Sequence, residues 1–141
     1  MVSQQTTWTP NRIVAFVIGI VFLIIGILGL ILDTTSGSLL GFDVDLVHNL
    51  VHLLTGMLGL AAAFTGWARR FNQIFGIIYI LVGIAGLIPA LYFDERLLGL
   101  MHVNAADNVL HLVVGILAAA VGFFVADSGT TRANTDTMAR P

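Results

Sequence analysis

The stretch His48-Asn49-Leu50-Val51-His52-Leu53-Leu54-Thr55-Gly56 opens an apolar run with two histidines and an asparagine, and Asn108-Val109-Leu110-His111-Leu112-Val113-Val114-Gly115 nearly repeats it. Asn49, His52 and Gly56 return as Asn108, His111 and Gly115 at an offset of 59 residues. Upstream, Gly19, Gly26 and Gly29 return as Gly76, Gly83 and Gly86 at 57, and Leu39-Leu40-Gly41-Phe42 returns as Leu97-Leu98-Gly99-Leu100 at 58. The offset drifts only in the connecting loops, where insertions are tolerated. The chain therefore reads as two copies of one helix-loop-helix hairpin.

Composition places both copies in a membrane. Hydrophobic residues make up 57% and charged residues 10% of 141 residues, and all six basic residues are arginine; a soluble domain carries about 25% charge. A net charge of −2 leaves no basic footprint for nucleic acid. Without cysteine there is neither a disulfide framework nor a thiolate metal site.

Four apolar runs, Ile13 to Leu32, Leu46 to Ala68, Ile74 to Phe93 and Val109 to Ala126, are each long enough to cross a hydrocarbon core. Their continuous apolar character favours helices over the alternating strands of a barrel. The first run exceeds the apolar core of a secretory signal and lacks a small-residue cleavage site, so it reads as a retained anchor. The expected fold is an all-α integral membrane four-helix bundle of two tandem hairpins. Because each copy crosses twice, a pseudo-two-fold axis should run along the membrane normal.

Arg12, Arg69, Arg70, Arg132 and Arg140 share one side, while Arg96 lies opposite with Asp33, Asp43, Asp45, Asp94, Glu95 and Asp107. Positive loops face the cytoplasm, which predicts a multi-pass protein of the cytoplasmic (inner) membrane with both termini inside. Trp8 and Trp67 fall at the same inner boundary. Residues 1–11 read as a short cytoplasmic segment, 12–126 as the membrane domain (12–68 and 69–126 as its repeats), and the polar tail 127–141 as disordered.

The polar residues gather near the outer end. Asp45, His48 and His52 share a helix face at spacings of three and four, with Asn49 beside them; Asp107 and His111 repeat the four-residue spacing, and Asn108, His102 and Asn104 lie close by. Asp107 or Asn108 would cap the fourth helix and Asp45 the second. Histidines one turn inside should face the bundle rather than lipid, and two uses are open. In one, His52 bonds Asn108 and His111 bonds Asn49, clamping the hairpins. In the other, His52 and His111, with His48 and Asp107, ligate a transition metal, or the first two hold a haem. Asn49 stands where a zinc protease helix would carry Glu after its first histidine, which excludes that motif. No carboxylate, imidazole or cation stands midway along a helix, which argues against ion transport. No residue is assigned a catalytic role; Thr55, one turn past His52, is too isolated to form a nucleophilic site.

Leu46-Val47-His48-Asn49-Leu50-Val51-His52-Leu53-Leu54 with Gly56, and His102-Val103-Asn104-Ala105-Ala106-Asp107-Asn108 with Leu110-His111-Leu112 and Gly115, resemble a bacterial four-helix membrane family, the domain of unknown function DUF4383. The resemblance spans both hairpins and implies the same four-helix, inner-membrane architecture, but no activity, cofactor or partner. Val109 departs from it, since relatives often carry an aromatic residue there. The expected role is a non-enzymatic scaffold or accessory subunit. Its partners are the lipid bilayer and either further copies of itself or other membrane proteins; a metal- or haem-binding protein is the alternative and an embedded enzyme the third reading.

Overall fold

The computed structural model describes residues 8–32 and 38–127. Asp33, Arg132, Arg140 and the tail read as disordered beyond Asp127 lie outside the described residues. Four helices, α1 (Pro10–Leu32), α2 (Leu46–Thr65), α3 (Ala68–Ala85) and α4 (Ala105–Phe124), are each long and apolar enough to cross a membrane. They pack as two pairs, α1 along α2 and α3 along α4, with far fewer contacts between the pairs.

Local chemistry sets the ends. Pro10 starts α1, where its missing N–H is no loss. Gly66, in the left-handed region at φ 80°, closes α2 and lets the chain reverse into α3 within two residues. The apolar run that continues to Phe93 is not helical throughout: α3 stops at Ala85, with Ile88 extended and Pro89–Leu91 forming a 3-10 turn. Proline lacks the amide hydrogen and pushes the preceding residue out of helical conformation. Leu32, the counterpart of Pro89 at the offset of 57, imposes no such stop, and α1 runs through to it.

The loops carry short hairpins. Strands β1 (Ser38–Leu39) and β2 (Phe42–Asp43) pair antiparallel, as do β3 (Tyr92–Phe93) and β4 (Arg96–Leu97). Leu40 and Gly41 turn the first at φ 54° and 90° and Asp94 and Glu95 the second at 54° and 62°; just past β4, Leu98 and Gly99 adopt the left-handed pair again at 53° and 71° in a tight turn that the Leu100 amide closes on the Leu97 carbonyl at 3.0 Å. Such a turn requires positive φ at both central residues, so the recurrence of Leu-Gly marks one turn used in both loops.

Within each hairpin glycine permits close backbone approach. A Cβ added at Gly26 would lie 3.0 Å from the Asn49 carbonyl oxygen, and one at Gly83 would lie 3.0 Å from that of Asn108. Gly19 meets Leu60, Gly56 meets Leu23, Gly76 meets Ala119 and Gly115 meets Ile80. Between the hairpins stands an aromatic column: Phe75 and Tyr79 stack at 4.0 Å, with Phe22 edge-on to both at 5.5 and 5.3 Å.

The end of the bundle where α1 and α3 begin is tied by side chains reaching spare carbonyls. Arg12 Nε donates to the Ala63 carbonyl at 2.7 Å and Arg69 Nε to that of Gly122 at 3.0 Å, each within the last turn of the paired helix. Asn72 Nδ2 donates to the Asn11 carbonyl and Oδ1, both at 3.0 Å, and Asn11 Nδ2 to the Val125 carbonyl at 3.1 Å, joining the two hairpins.

Replacing Gly83 with Val should force α3 and α4 apart and lower stability by roughly 1–3 kcal/mol, the usual penalty of overpacking. Ala120→Val, exposed on α4, should leave it nearly unchanged. Denaturant titration of both variants in mild detergent, followed by circular dichroism, measures the difference.

Candidate metal centre

At the opposite end, α2 and α4 present their first turns to one another under the loop hairpins. Asp45 caps α2, its Oδ1 accepting from the His48 amide at 2.8 Å. For α4 the cap is Asn104, not Asp107 or Asn108: Asn104 Oδ1 accepts from the amides of Ala106 and Asp107, and Asp107 Oδ2 accepts from that of Asn104. This reciprocal capping box starts the helix at Ala105, four residues before the apolar run at Val109.

The loops cross between hairpins to cover this end. His102 donates its amide to Asp45 Oδ2 at 2.8 Å and sets its ring Nδ1 3.3 Å from the same oxygen. Asp43 donates its amide to Asp107 Oδ2 at 3.0 Å, and Asn104 Nδ2 donates to Asp43 Oδ1 and to the Gly41 carbonyl. His102, Asn104 and Asp107 therefore serve as loop fasteners.

Beneath this cover three histidines converge. His48 and His52 from α2 and His111 from α4 are 1%, 7% and 5% exposed, and a ligating nitrogen of each lies within 4.8 Å of the others. His48 and His52 ring centroids are 4.4 Å apart, and His48 and His111 are 5.8 Å apart. Phe22 stands edge-on to His52 at 5.1 Å and Tyr79 edge-on to His111 at 5.2 Å, so the aromatic column ends on the cluster. Asp107 lies outside this close group, though it lines one small cavity together with His52 and His111.

The hydrogen bonds expected between His52 and Asn108 and between His111 and Asn49 do not form. Asn108 Nδ2 instead donates to the Gly86 carbonyl at 2.8 Å, inside its own hairpin, and Asn49 packs its side chain against Gly29. The reason is the glycine contact: each asparagine sits over the glycine of its paired helix and cannot turn to the other hairpin. Gly86 can accept because α3 ends just before it, and Tyr92 Oη donates to the same carbonyl at 2.9 Å.

The histidines are thus left with ring nitrogens unused. His48 Nδ1 lies 3.1 Å from the His102 carbonyl. A carbonyl only accepts, so Nδ1 carries the hydrogen and Nε2 keeps its lone pair in the neutral ring. His48 Nε2, His52 Nδ1 and His111 Nδ1 are all buried without a hydrogen-bond partner. Buried polar atoms are rarely left so, and fixing one ring nitrogen on a carbonyl is how metal-binding histidines are oriented. The set suits a metal ion. It does not suit a haem: the cavity that touches His52 and His111 measures about 130 Å³, and the larger one, about 590 Å³, is lined by no histidine. Sites for drug-sized ligands start near about 300 Å³.

The residues that build this end, from the histidines to the asparagines over the paired glycines, fall within residues 12–124, which match the family model "Domain of unknown function (DUF4383)". The chain belongs to the DUF4383 family. No match was found among the curated proteins or among the solved structures. Membership of DUF4383 thus covers all four helices without assigning chemistry to the histidines. Asn11, Asn72 and Tyr79 had no sequence signal of this kind, because their repeat counterparts are Ala68, Ala15 and Phe22.

Burial raises the Asp45 carboxyl, but the His48 and His102 amides and the charges of His102 and Arg96 outweigh it and hold the group below its ordinary 3.8. A depressed carboxylate stabilises the fold above its unfolded pKa, and that contribution disappears as pH falls through the folded value. The unfolding midpoint should therefore drop as pH goes from about 6 to about 3, and Asp45→Asn should flatten the acid side of the profile. Thermal unfolding across that range in detergent gives the comparison.

Proposed function

We propose that the protein is a multi-pass protein of the cytoplasmic membrane, both termini inside, whose outer end binds one transition-metal ion through His48, His52 and His111. The observation that carries this reading is the trio of buried, unpartnered imidazole nitrogens. Neutral imidazoles suit zinc, copper, nickel or iron, whereas calcium and magnesium favour oxygen donors. Zinc–nitrogen bonds of about 2.0–2.1 Å bring tetrahedral ligands to roughly 3.3 Å apart, so the rings draw together slightly on binding. Three protein ligands would leave one position of a tetrahedral ion open.

The ion's role follows from which helices it joins. His48 and His52 belong to the first hairpin and His111 to the second, and the pairs otherwise touch sparsely. Ligation clamps them in place of the histidine–asparagine bonds that do not form, and makes the protein a metal-stabilised scaffold or accessory subunit rather than an enzyme. Its outward faces are free for other helices or further copies.

Protein purified without chelator or metal resin should carry about one transition-metal ion per chain by elemental analysis, and His52→Ala with His111→Ala should carry none. Zinc at about 100 times its Kd should stabilise the fold by roughly 2.7 kcal/mol, with no such gain in the double variant. A metal-free protein indifferent to added zinc, cobalt or copper overturns the proposal. Orientation has its own test: in this cysteine-free chain, Glu95→Cys should react with an impermeant thiol reagent on intact spheroplasts and Phe124→Cys only after lysis. The reverse pattern inverts the topology.

A further inference from the structure

A cavity of about 590 Å³ runs between α2 and α3, from Val51 and Tyr79 down to Trp67 and Arg70. Its length along α2, from Val51 to Thr65, is roughly 21 Å at 1.5 Å per residue. A chain anchored at the interface would pass the middle of a hydrocarbon core about 30 Å thick. Apart from Thr55, Thr65, Arg70 and Tyr79, the walls are apolar or aromatic.

Those four polar residues break the internal symmetry in one direction. At the repeat offsets of 57 and 59, Arg70 corresponds to Ile13, Tyr79 to Phe22, Thr55 to Val114 and Thr65 to Phe124. The polar groups stand on the α2–α3 groove, and their counterparts are apolar. The Tyr79 and Thr55 side chains hydrogen-bond one another across the groove and Thr65 Oγ1 donates to the Ala61 carbonyl at 2.7 Å, which leaves Arg70 as the polar group that packing does not account for.

Arg70 supplies the charge. Arg12 and Arg69, at the same end, each spend Nε on a helix carbonyl. Arg70 is exposed at the mouth of the groove and lies over the Trp67 ring at 5.1 Å; among the described residues it has no carboxylate partner. A guanidinium braced on an interfacial tryptophan presents a fork suited to a phosphate, and basic pockets between membrane helices on the cytoplasmic side bind anionic headgroups. We infer that the α2–α3 groove is a binding site for an anionic phospholipid, its acyl chain between the helices and its phosphate on Arg70.

The full chain, delipidated in mild detergent and titrated with phosphatidylglycerol or phosphatidylcholine of matched chains, tests this by native mass spectrometry. Wild type should retain one phosphatidylglycerol per chain with about a fivefold preference over phosphatidylcholine, the factor that one arginine contributes beside an anionic headgroup. Arg70→Gln should abolish the preference while leaving the helical signal intact, and Arg70→Lys should restore part of it. Ala61→Phe, on the groove wall, should reduce retention of both lipids. Equal retention of the two lipids by wild type, a preference that survives Arg70→Gln, or a tightly held neutral isoprenoid in place of the phospholipid overturns the inference. The metal content of Arg70→Gln should match wild type, which separates this result from that of the metal proposal.

Discussion

In hydrocarbon two helices gain nothing by hiding leucine from one another, because lipid is as apolar as the partner. What holds α1 to α2 and α3 to α4 is contact at short range, and contact at short range needs glycine. Gly26 and Gly83 bring the paired backbones close enough that an added Cβ would sit 3.0 Å from a carbonyl oxygen in either hairpin. The positions of the polar residues follow from that approach. Asn49 and Asn108 are wedged over Gly29 and Gly86, and this turns both asparagines away from the other hairpin. The histidines one turn further along are left to face one another without them.

The two copies share a frame and differ where something besides packing is required. Matching glycine contacts, matching Arg12 and Arg69 bonds to carbonyls, and matching Leu-Gly turns recur in both. Pro89 breaks the match by ending α3 early and freeing the Gly86 carbonyl for Asn108 and Tyr92. His48 breaks it too, for its counterpart at 59 is Asp107. One copy contributes an imidazole to the cluster and the other a carboxylate that fastens the loop above it. A symmetric scaffold thereby holds a site with two histidines on one side and one on the other.

Much of this was legible in the chain. Continuous apolar runs and the doubled glycine spacing lead directly to four helices in two pairs, and the four-residue step from His48 to His52 places both on one face. The end of α3 was less visible, since apolar residues continue through Phe93 and hide the effect of Pro89. The capping box Asn104-Ala105-Ala106-Asp107 was readable in principle but lies outside the apolar run that drew the boundary. What periodicity could not supply was the rotation of each helix about its own axis, and that decides whether His52 meets Asn108 or His111. The Asn11–Asn72 contact leaves no trace in the repeat for a related reason, because the counterparts of both residues are alanine.

The loop fasteners and the histidines are best understood together. A buried ring nitrogen without a partner forfeits about 1–3 kcal/mol of hydration, and three of them in one cluster is a heavy load for a bundle whose hairpins pack on one another through a small core around Phe22, Phe75 and Tyr79. Yet the fold adds cover: Asp43, Asp45, His102, Asn104 and Asp107 form a ring of bonds from one hairpin to the other above the histidines. Such cover excludes water from the nitrogens and removes the easiest means of satisfying them. The arrangement is wasteful for a cluster that only needs to be packed. It is economical for one that holds an ion, because exclusion of water strengthens imidazole ligation, and the His102 carbonyl already sets the His48 tautomer that ligation requires.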